Sequence, residues 1–365
     1  MRKFILVTSF LFLLLNQSAF AAEEAPSVSA QSAIVYQADC GRILYEKQAD
    51  RKMLIASTTK IMTAILAIET CDLTESVLIT QEMADVEGSS MYLKAGESYS
   101  VQELLYGLLL ASGNDAATAL AVHTAGDERA FAALMNEKAA ILGMKNTSFE
   151  NPHGLDGEKH YSTAKDMAVL ADYAMKNDIF AKIAGTRHIS IKGLTYVNHN
   201  KLLWRCDGVK GVKTGYTLAA GRTLVTCCER EGQRLICVTL SARDDWNDHQ
   251  ALYDWAYGRY HNQVILEKDT QYTVPIVSGT DDTIRVEPLT DVSVFADEDD
   301  QVSYYVELPS FVFRPVRIGD YAGRIVVTVN GIQSAEVPIV CMENYNLEIK
   351  KPFQLNWLIR KLQGI

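Results

Sequence analysis

No Cys-x-x-Cys pair and no His-Glu-x-x-His segment occurs in the chain, and its seven histidines are scattered. The donor spacings that hold structural or catalytic zinc are therefore missing, and no cofactor is implied. The seven cysteines (Cys40, Cys71, Cys206, Cys227, Cys228, Cys237 and Cys341) are odd in number and irregularly spaced, which argues against a disulfide-stapled scaffold. Cys227, Cys228 and Cys237 stand among Val225, Leu235, Ile236 and Val238, where a thiol packs as a small hydrophobe. Basic runs and arginine clusters are missing from a chain of formal net charge −10, and with them the electrostatic footprint of a nucleic-acid binder. No convincing internal repeat is present.

What is there begins with Arg2 and Lys3, an apolar run from Phe4 to Leu15, and Ala19-Phe20-Ala21 ahead of Glu23 and Glu24. That pattern reads as a secretory signal, residues 1–21, cleaved after Ala21. The competing reading is a membrane anchor, but a largely apolar run of a dozen residues falls short of the ~20 that span a bilayer. Removing Arg2 and Lys3 takes the formal net charge from −10 to −12. The remaining 344 residues exceed one typical domain.

Apolar residues recur at helical spacing in 61–68, 101–111, 116–123, 131–142 and 167–175, and alternate in 33–36, 42–45, 222–228 and 235–240. The simplest arrangement is α+β, one antiparallel sheet from the first hairpin and the late strands with helices packed around it, over residues 22–261. Beyond His261 short β-rich runs alternate with Gly, Asp and Pro and predict a small all-β sandwich over 262–350. In the last segment, 351–365, Leu355, Leu358, Ile359, Leu362 and Ile365 share one helical face, opposite Arg360 and Lys361, with Trp357 on the polar side. Its fourteen residues after residue 351 make about 20 Å of helix, which suits lying in a membrane surface or docking on the β domain. Both readings stand.

Three short motifs carry chemistry. Ser57-Thr58-Thr59-Lys60 is a Ser-x-x-Lys pair at the head of the apolar helix 61–66, with a lysine one turn from a hydroxyl. Chance supplies such a pair about once or twice in a chain this long, and Ser162-Thr163-Ala164-Lys165 is a second copy. Thr163 and Asp166 explain that copy as a capping box ahead of Met167 to Leu170. A serine needs a base, and a lysine near its reference pKa of ~10.4 is seldom neutral at pH 7. Burial and a second cation would lower it, and Lys213-Thr214-Gly215 offers the cation on a strand flanked by Gly208, Gly211 and Gly221. A phosphate-loop reading fails because Val212, not glycine, precedes the Lys-Thr pair. Ser112-Gly113-Asn114 follows the apolar helix, and by itself reads as a cap for the next helix.

Order and spacing add to this, because Ser57, Ser112 and Lys213 stand 55 and 101 residues apart. Here the chain resembles the penicillin-recognising serine enzymes, whose motifs are Ser-x-x-Lys, Ser-x-Asn and Lys-Thr-Gly in that order. The flanks Ser112-Gly113-Asn114-Asp115-Ala116-Ala117, Asn151-Pro152-His153-Gly154-Leu155-Asp156, Tyr161-Ser162-Thr163-Ala164-Lys165-Asp166-Met167 and Gly211-Val212-Lys213-Thr214-Gly215-Tyr216 look like the low-molecular-mass penicillin-binding proteins, the serine D-alanyl-D-alanine carboxypeptidases. The resemblance covers about residues 30–350 and implies a penicillin-binding-protein/β-lactamase-like domain followed by a β domain.

It further implies that Ser57 attacks the peptide carbonyl between two D-alanines of a peptidoglycan pentapeptide and that Lys60 takes its proton. Ser112 and Lys213 relay a proton to the leaving amine, and Asn114 orients Lys60 and substrate. Thr214 binds the terminal carboxylate, Lys213, Gly215 and Tyr216 join it in binding substrate, and the backbone N–H groups of Ser57 and Tyr216 form the oxyanion hole. β-Lactam antibiotics would acylate the same serine. The implied location is the cell envelope. Two departures stand out: some relatives have histidine where this chain has Tyr216, and some have arginine where it has His199. The rivals are a D,D-endopeptidase, a β-lactamase using Glu150 or Glu158 as deacylating base, although neither sits in that family's pattern, and a non-catalytic penicillin sensor.

Overall fold

Alternation of side chains along five strands sorts the described residues up to 260 into layers, because successive residues of a strand face opposite sides of its sheet. The structure, a computed structural model, describes residues 25–38, 40–277 and 283–345. The leader pattern read at residues 1–21, Asp39 and the C-terminal segment 351–365 lie outside them. The strands run Arg42–Lys47, Ser32–Gln37, Gln233–Ala242, Gly221–Arg230, Val209–Thr217 across an antiparallel sheet. Ile34, Val225, Cys227, Ile236, Val238 and Leu240 face a cluster of helices built on Lys60–Thr70, Val101–Leu110, Asn114–Ala125 and Ala164–Met175. Ala33, Val35, Leu224, Cys228, Leu235 and Cys237 face the helix Asp245–Arg259 through Leu252, Tyr253, Trp255 and Ala256. The expected antiparallel sheet wrapped by helices is what forms, and Cys228 and Cys237 are buried free thiols within it.

The helix Lys60–Thr70 runs through the middle of the helical layer. Ile61, Met62 and Ile65 are fully buried, each contributing about 1.5–3 kcal/mol of apolar burial. The helix Val101–Leu110 starts at a reciprocal cap: Ser100 Oγ accepts the Glu103 N–H at 3.1 Å, and the Glu103 carboxylate accepts the Ser100 N–H at 2.8 Å. At Thr163 only half of the expected box forms. Its Oγ1 accepts the Asp166 N–H at 3.0 Å, but the Asp166 carboxylate turns away to the Asn146 N–H and the Thr147 hydroxyl at 2.8 and 2.7 Å.

The C-terminal β domain folds a six-stranded sheet, ordered Val302–Glu307, Tyr321–Val329, Ile332–Cys341, Thr283–Pro288, Tyr272–Val277, Val312–Phe313, over the ribbon His261–Leu266 with Val292–Ala296. Val292, Val294 and Ala296 of the ribbon share a core with Val274, Ile284, Ile325 and Ile339. Arg42, almost completely buried, ties the two domains: its guanidinium donates to the Phe295 carbonyl and the Asp300 carboxylate, both at 2.9 Å.

The helix Asp245–Arg259 has no clean apolar stripe because its buried face carries Asp245, Asp248 and His249. Asp248 accepts the Ser29 and Ala30 N–H groups at 2.8 and 3.1 Å and so holds the N-terminal segment down. His249 bridges the Thr226 and Thr239 hydroxyls at 2.7 and 2.9 Å, and burial pushes its pKa down to about 3. Above pH ~6.5 this histidine is neutral whether the chain is folded or not. Below that the unfolded chain takes up a proton that the native one refuses, so native stability is lost as pH falls from ~6.5 toward 3. The expected contribution is up to ~1.4 kcal/mol per pH unit. Urea unfolding between pH 7 and 4 should show this slope, reduced by about one proton in His249→Gln; an unchanged slope would mean that His249 does not titrate on unfolding.

Candidate active site

Ala56–Thr59 forms a single 3-10 turn that runs into the α-helix Lys60–Thr70. In a 3-10 turn residues i and i+3 eclipse one another, and this, rather than the α-helical opening expected from the sequence, stacks Lys60 under Ser57. Lys60 Nζ lies 2.8 Å from Ser57 Oγ. Buried polar contacts hold the turn: Thr58 Oγ1 donates to the Ile55 carbonyl at 2.6 Å, and Thr63 Oγ1 to the Pro152 carbonyl at 2.5 Å. His160 accepts the Glu150 N–H on Nδ1 at 3.1 Å, so its Nε2–H donates to Thr59 Oγ1 at 2.8 Å.

Lys60 is completely buried and touches three oxygens. Besides Ser57 Oγ these are Asn114 Oδ1 at 2.6 Å and the His153 carbonyl at 2.8 Å. The Asn114 amide is oriented by its Nδ2, which donates to the Glu87 carbonyl at 2.6 Å. Burial first, and the Lys213 cation second, hold the Lys60 pKa well below the ordinary lysine value. A neutral amine has two hydrogens and one lone pair. The Asn114 oxygen and the His153 carbonyl can only accept, so they take both hydrogens, and the lone pair is left for the Ser57 hydroxyl proton. Lys213 is buried as well; its Nζ donates to Ser112 Oγ at 3.0 Å and to the Thr214 carbonyl at 2.8 Å, and burial lowers its pKa to about 7.

These partners remove the cap reading of Ser112-Gly113-Asn114. Gly113 is the N-cap of Asn114–Ala125, no side chain caps that helix, and both Ser112 and Asn114 spend their oxygens on lysines. Ser112 sits at φ 60°, a conformation rarely adopted by serine. The second Ser-x-x-Lys copy is structural: Ser162 is fully buried, its hydroxyl is 2.7 Å from Thr147 Oγ1, and its backbone bridges Met53.

The edge strand Val209–Thr217 lies directly on the Ser57 turn. A Cβ on Gly215 would stand 2.9 Å from the Ser57 nitrogen and 3.1 Å from that of Thr58, so only glycine permits this approach. Ser57, Ser112, Thr214, Gly215 and the exposed Tyr216 line one cleft of about 330 Å³. All eight residues singled out from the sequence therefore converge, Lys60, Asn114 and Lys213 beneath the cleft through their hydrogen bonds and the other five along it. Arg222, Asp245 and Trp246 also line it, with no motif to announce them. Through Ser89, His199 and Lys201 it opens into a wider groove of about 760 Å³ walled by Tyr92, Tyr196 and Trp204. Elsewhere, donor atoms of Cys71, Glu75 and His123 lie within 4.8 Å of one another, a grouping invisible to sequence spacing. His123 and Glu75 already satisfy each other at 2.8 Å.

Comparisons with known proteins place the chain among related sequences and folds. A family described as D-alanyl-D-alanine carboxypeptidase matches residues 19–244, and one described as the C-terminal domain of penicillin-binding protein 5 matches residues 260–346. The D-alanyl-D-alanine carboxypeptidase DacF of Bacillus subtilis is 32% identical over 361 residues, 93% of each chain. DacC of Escherichia coli is 33% identical over 369 residues, 92% of this chain and 90% of that one. The solved structure of penicillin-binding protein 5 from Haemophilus influenzae superposes with a TM-score of 0.69 at 26% identity, covering 88% of this chain and 98% of that one.

The loop that supplies the His153 carbonyl is as tightly placed as the edge strand. Gly154 has φ +92°, and a Cβ there would stand 1.9 Å from the Ala56 carbonyl oxygen and 2.9 Å from Thr59 Oγ1. Gly126, at φ +89°, has open space around it. Gly126→Ala is expected to cost about 1 kcal/mol of backbone strain. Gly154→Ala is expected to cost at least ~2 kcal/mol, a fall in Tm of about 4–8 °C. Calorimetry of the two variants checks the difference, and equal losses would mean that the turn can give way.

Proposed function

The chain belongs to the D-alanyl-D-alanine carboxypeptidase family, and from that premise we propose that it removes the terminal D-alanine of peptidoglycan stem pentapeptides through an acyl-Ser57 intermediate. The observation that carries this reading is the set of Lys60 contacts, 2.8 Å to Ser57 Oγ, 2.6 Å to Asn114 Oδ1 and 2.8 Å to the His153 carbonyl. They leave a neutral amine one job, which is to accept the serine proton. Ser57 Oγ then bonds to the carbonyl carbon of the penultimate D-alanine, and the oxyanion is received by the N–H groups of Ser57 and Tyr216. The proton reaches the departing amine through Ser112 Oγ, with Lys213 3.0 Å behind it. Asn114 holds Lys60 in place, and Thr214 binds the terminal carboxylate. Water enters after D-alanine leaves, and the ester is hydrolysed.

β-Lactams follow the same first step and stay attached, since among the described residues no carboxylate stands where it could drive fast deacylation. Glu150 is occupied by the Lys159 N–H at 2.9 Å and lines no part of the cleft, and Asp245 is paired with Arg222 at 2.8 Å. The substrate and the leader pattern of residues 1–21 both fit an exported protein of the cell envelope. The working division is a catalytic domain over 22–261 and a β domain over 262–350. Membrane contact through residues 351–365 would keep the cleft near the wall, but that segment lies outside the described residues.

Labelled penicillin is expected to modify the wild type and Ser162→Ala but not Ser57→Ala. Muropeptide digests should show pentapeptides losing one D-alanine while cross-linked dimers persist; loss of dimers instead would make the protein an endopeptidase, and steady nitrocefin turnover would make it a β-lactamase. The Lys213 charge is one reason why the Lys60 pKa is low, so Lys213→Gln raises that pKa. Acylation needs neutral Lys60 and fails as pH falls through its pKa, so the acid limb of the residual rate should move to higher pH. The maximal rate should drop roughly 10²- to 10⁴-fold. A limb that stays in place would mean that Lys60 is not the titrating base.

A further inference from the structure

The helices Lys60–Thr70 and Asn114–Ala125 begin at the catalytic site, where Lys60 Nζ meets Asn114 Oδ1 at 2.6 Å. Their other ends also come together, and there Cys71 Sγ lies 3.4 Å from Thr124 Oγ1. The turn leading into the strand Ser76–Leu78 brings Glu75 to the same place. Donor atoms of Cys71, Glu75 and His123 all lie within 4.8 Å of one another, and none of the three residues is buried. The mechanism above uses none of them. Local spacing along the chain gives no sign of the group, since 48 residues separate Glu75 from His123.

Each donor is fixed by its own element. Cys71 closes its helix: its N–H donates to the Ala67 carbonyl at 3.0 Å, and its backbone then turns extended, at φ −114° and ψ 150°. The Glu75 carboxylate is held from behind, with Oε1 accepting the Asp72 N–H at 3.3 Å while Oε2 faces His123 Nε2 at 2.8 Å. Asp72 is already engaged, accepting the Thr74 N–H and hydroxyl at 2.8 and 2.7 Å. Thr70 gives its hydroxyl hydrogen to the Leu66 carbonyl at 2.7 Å, so Thr124 is the hydroxyl that can donate to a Cys71 thiolate. His123 stands in the last turn of its helix and Cys71 just past the end of the other. Two helix C-termini therefore point their carbonyl ends at this spot, and such ends favour a cation.

We infer that Cys71, Glu75 and His123 bind one zinc ion, with the Thr124 hydroxyl behind the sulfur and water in the fourth position. Thiolate, imidazole and carboxylate are zinc's donors, whereas calcium and magnesium take oxygen ligands. A tetrahedral zinc with bonds of ~2.0–2.3 Å sets its ligands roughly 3.3–3.6 Å apart. Donors already within 4.8 Å of one another reach this by small side-chain adjustments, the His123–Glu75 contact opening slightly. The ion replaces the hydrogen between His123 and Glu75, and the Cys71 thiol releases its proton. One thiolate and one carboxylate then balance the two positive charges. The eleven residues of Lys60–Thr70 put about 16 Å of helix between the ion and Lys60, so it clips two helices together and takes no part in the reaction.

The test titrates chelator-treated protein, kept reduced by a phosphine, with cobalt(II) followed by absorbance and with zinc followed by calorimetry. Expected are one ion per chain, a near-ultraviolet thiolate-to-cobalt band that zinc abolishes, and a Tm that rises with zinc concentration. Cys71→Ser should lose the band. Cys71→Ser and His123→Ala should each weaken zinc binding at least ~10-fold, while Cys40→Ser, which removes a half-buried thiol elsewhere, binds as the wild type does. Cooperative melting in chelator shows that the variants are folded. Wild type that takes up no zinc overturns the assignment, as does a Cys71→Ser variant that binds it as tightly as wild type. Equal weakening in Cys40→Ser also overturns it, since that would mean indiscriminate binding to thiols.

Discussion

The site depends on a lysine amine that has been taken out of water. In solvent the Lys60 amine would be protonated and useless as a base. Enclosed, with no carboxylate bonded to it, it loses the stabilisation of its charge, and its pKa falls well below the ordinary lysine value. The surroundings then use the limited valence of that amine. Two acceptors that cannot donate, the Asn114 oxygen and the His153 carbonyl, consume its hydrogens, and the serine hydroxyl is the group left to meet the lone pair. Each acceptor is itself fixed from behind, Asn114 by the Glu87 carbonyl and the 151–156 loop by Asn151, which accepts the Gly154 N–H at 2.7 Å.

Excluding water from Lys60 while admitting a peptide to Ser57 requires close contact at backbone level, and this explains where the glycines fall. Gly154 lets the loop carbonyls press against the Ala56 turn, and Gly215 lets the edge strand do so from the other side. Asp115 completes the enclosure: its buried carboxylate accepts the Met91 and Leu93 N–H groups at 3.0 and 3.1 Å and the Ser90 hydroxyl at 2.6 Å, drawing the 89–93 loop onto the helix that carries Asn114. Thr217 reaches across to Asp156 at 2.9 Å and ties the edge strand to the catalytic loop. The sheet supplies a rigid platform for this arrangement, and its last strand keeps one edge available for an extended peptide.

How far the sequence spoke for itself can be judged residue by residue. Ser57, Lys60 and Lys213 were legible because motif order and spacing carry information that a four-residue pattern does not. Ser112 and Asn114 were ambiguous because serine and asparagine also cap helices; only φ 60° at Ser112 and the lysine partners separate the two roles. The strands and long helices followed their apolar periods to within a few residues. Asp245–Arg259 did not announce itself, since its buried face carries two aspartates and a histidine whose partners lie on other elements of the fold. Arg42, joining the domains across more than 250 residues, was unreadable for the same reason. Arg222 was hidden in an ordinary strand pattern, since a bulge and a partner on the next helix hold it at the cleft.

The two lysines of the site differ in environment, and that difference assigns their work. Lys60 is held well below the normal lysine range by burial and by Lys213, whereas Lys213, also buried, is lowered to about 7. Two ammonium groups in one desolvated site would repel each other, so a charge on Lys213, which faces Ser112, disfavours one on Lys60, which faces Ser57.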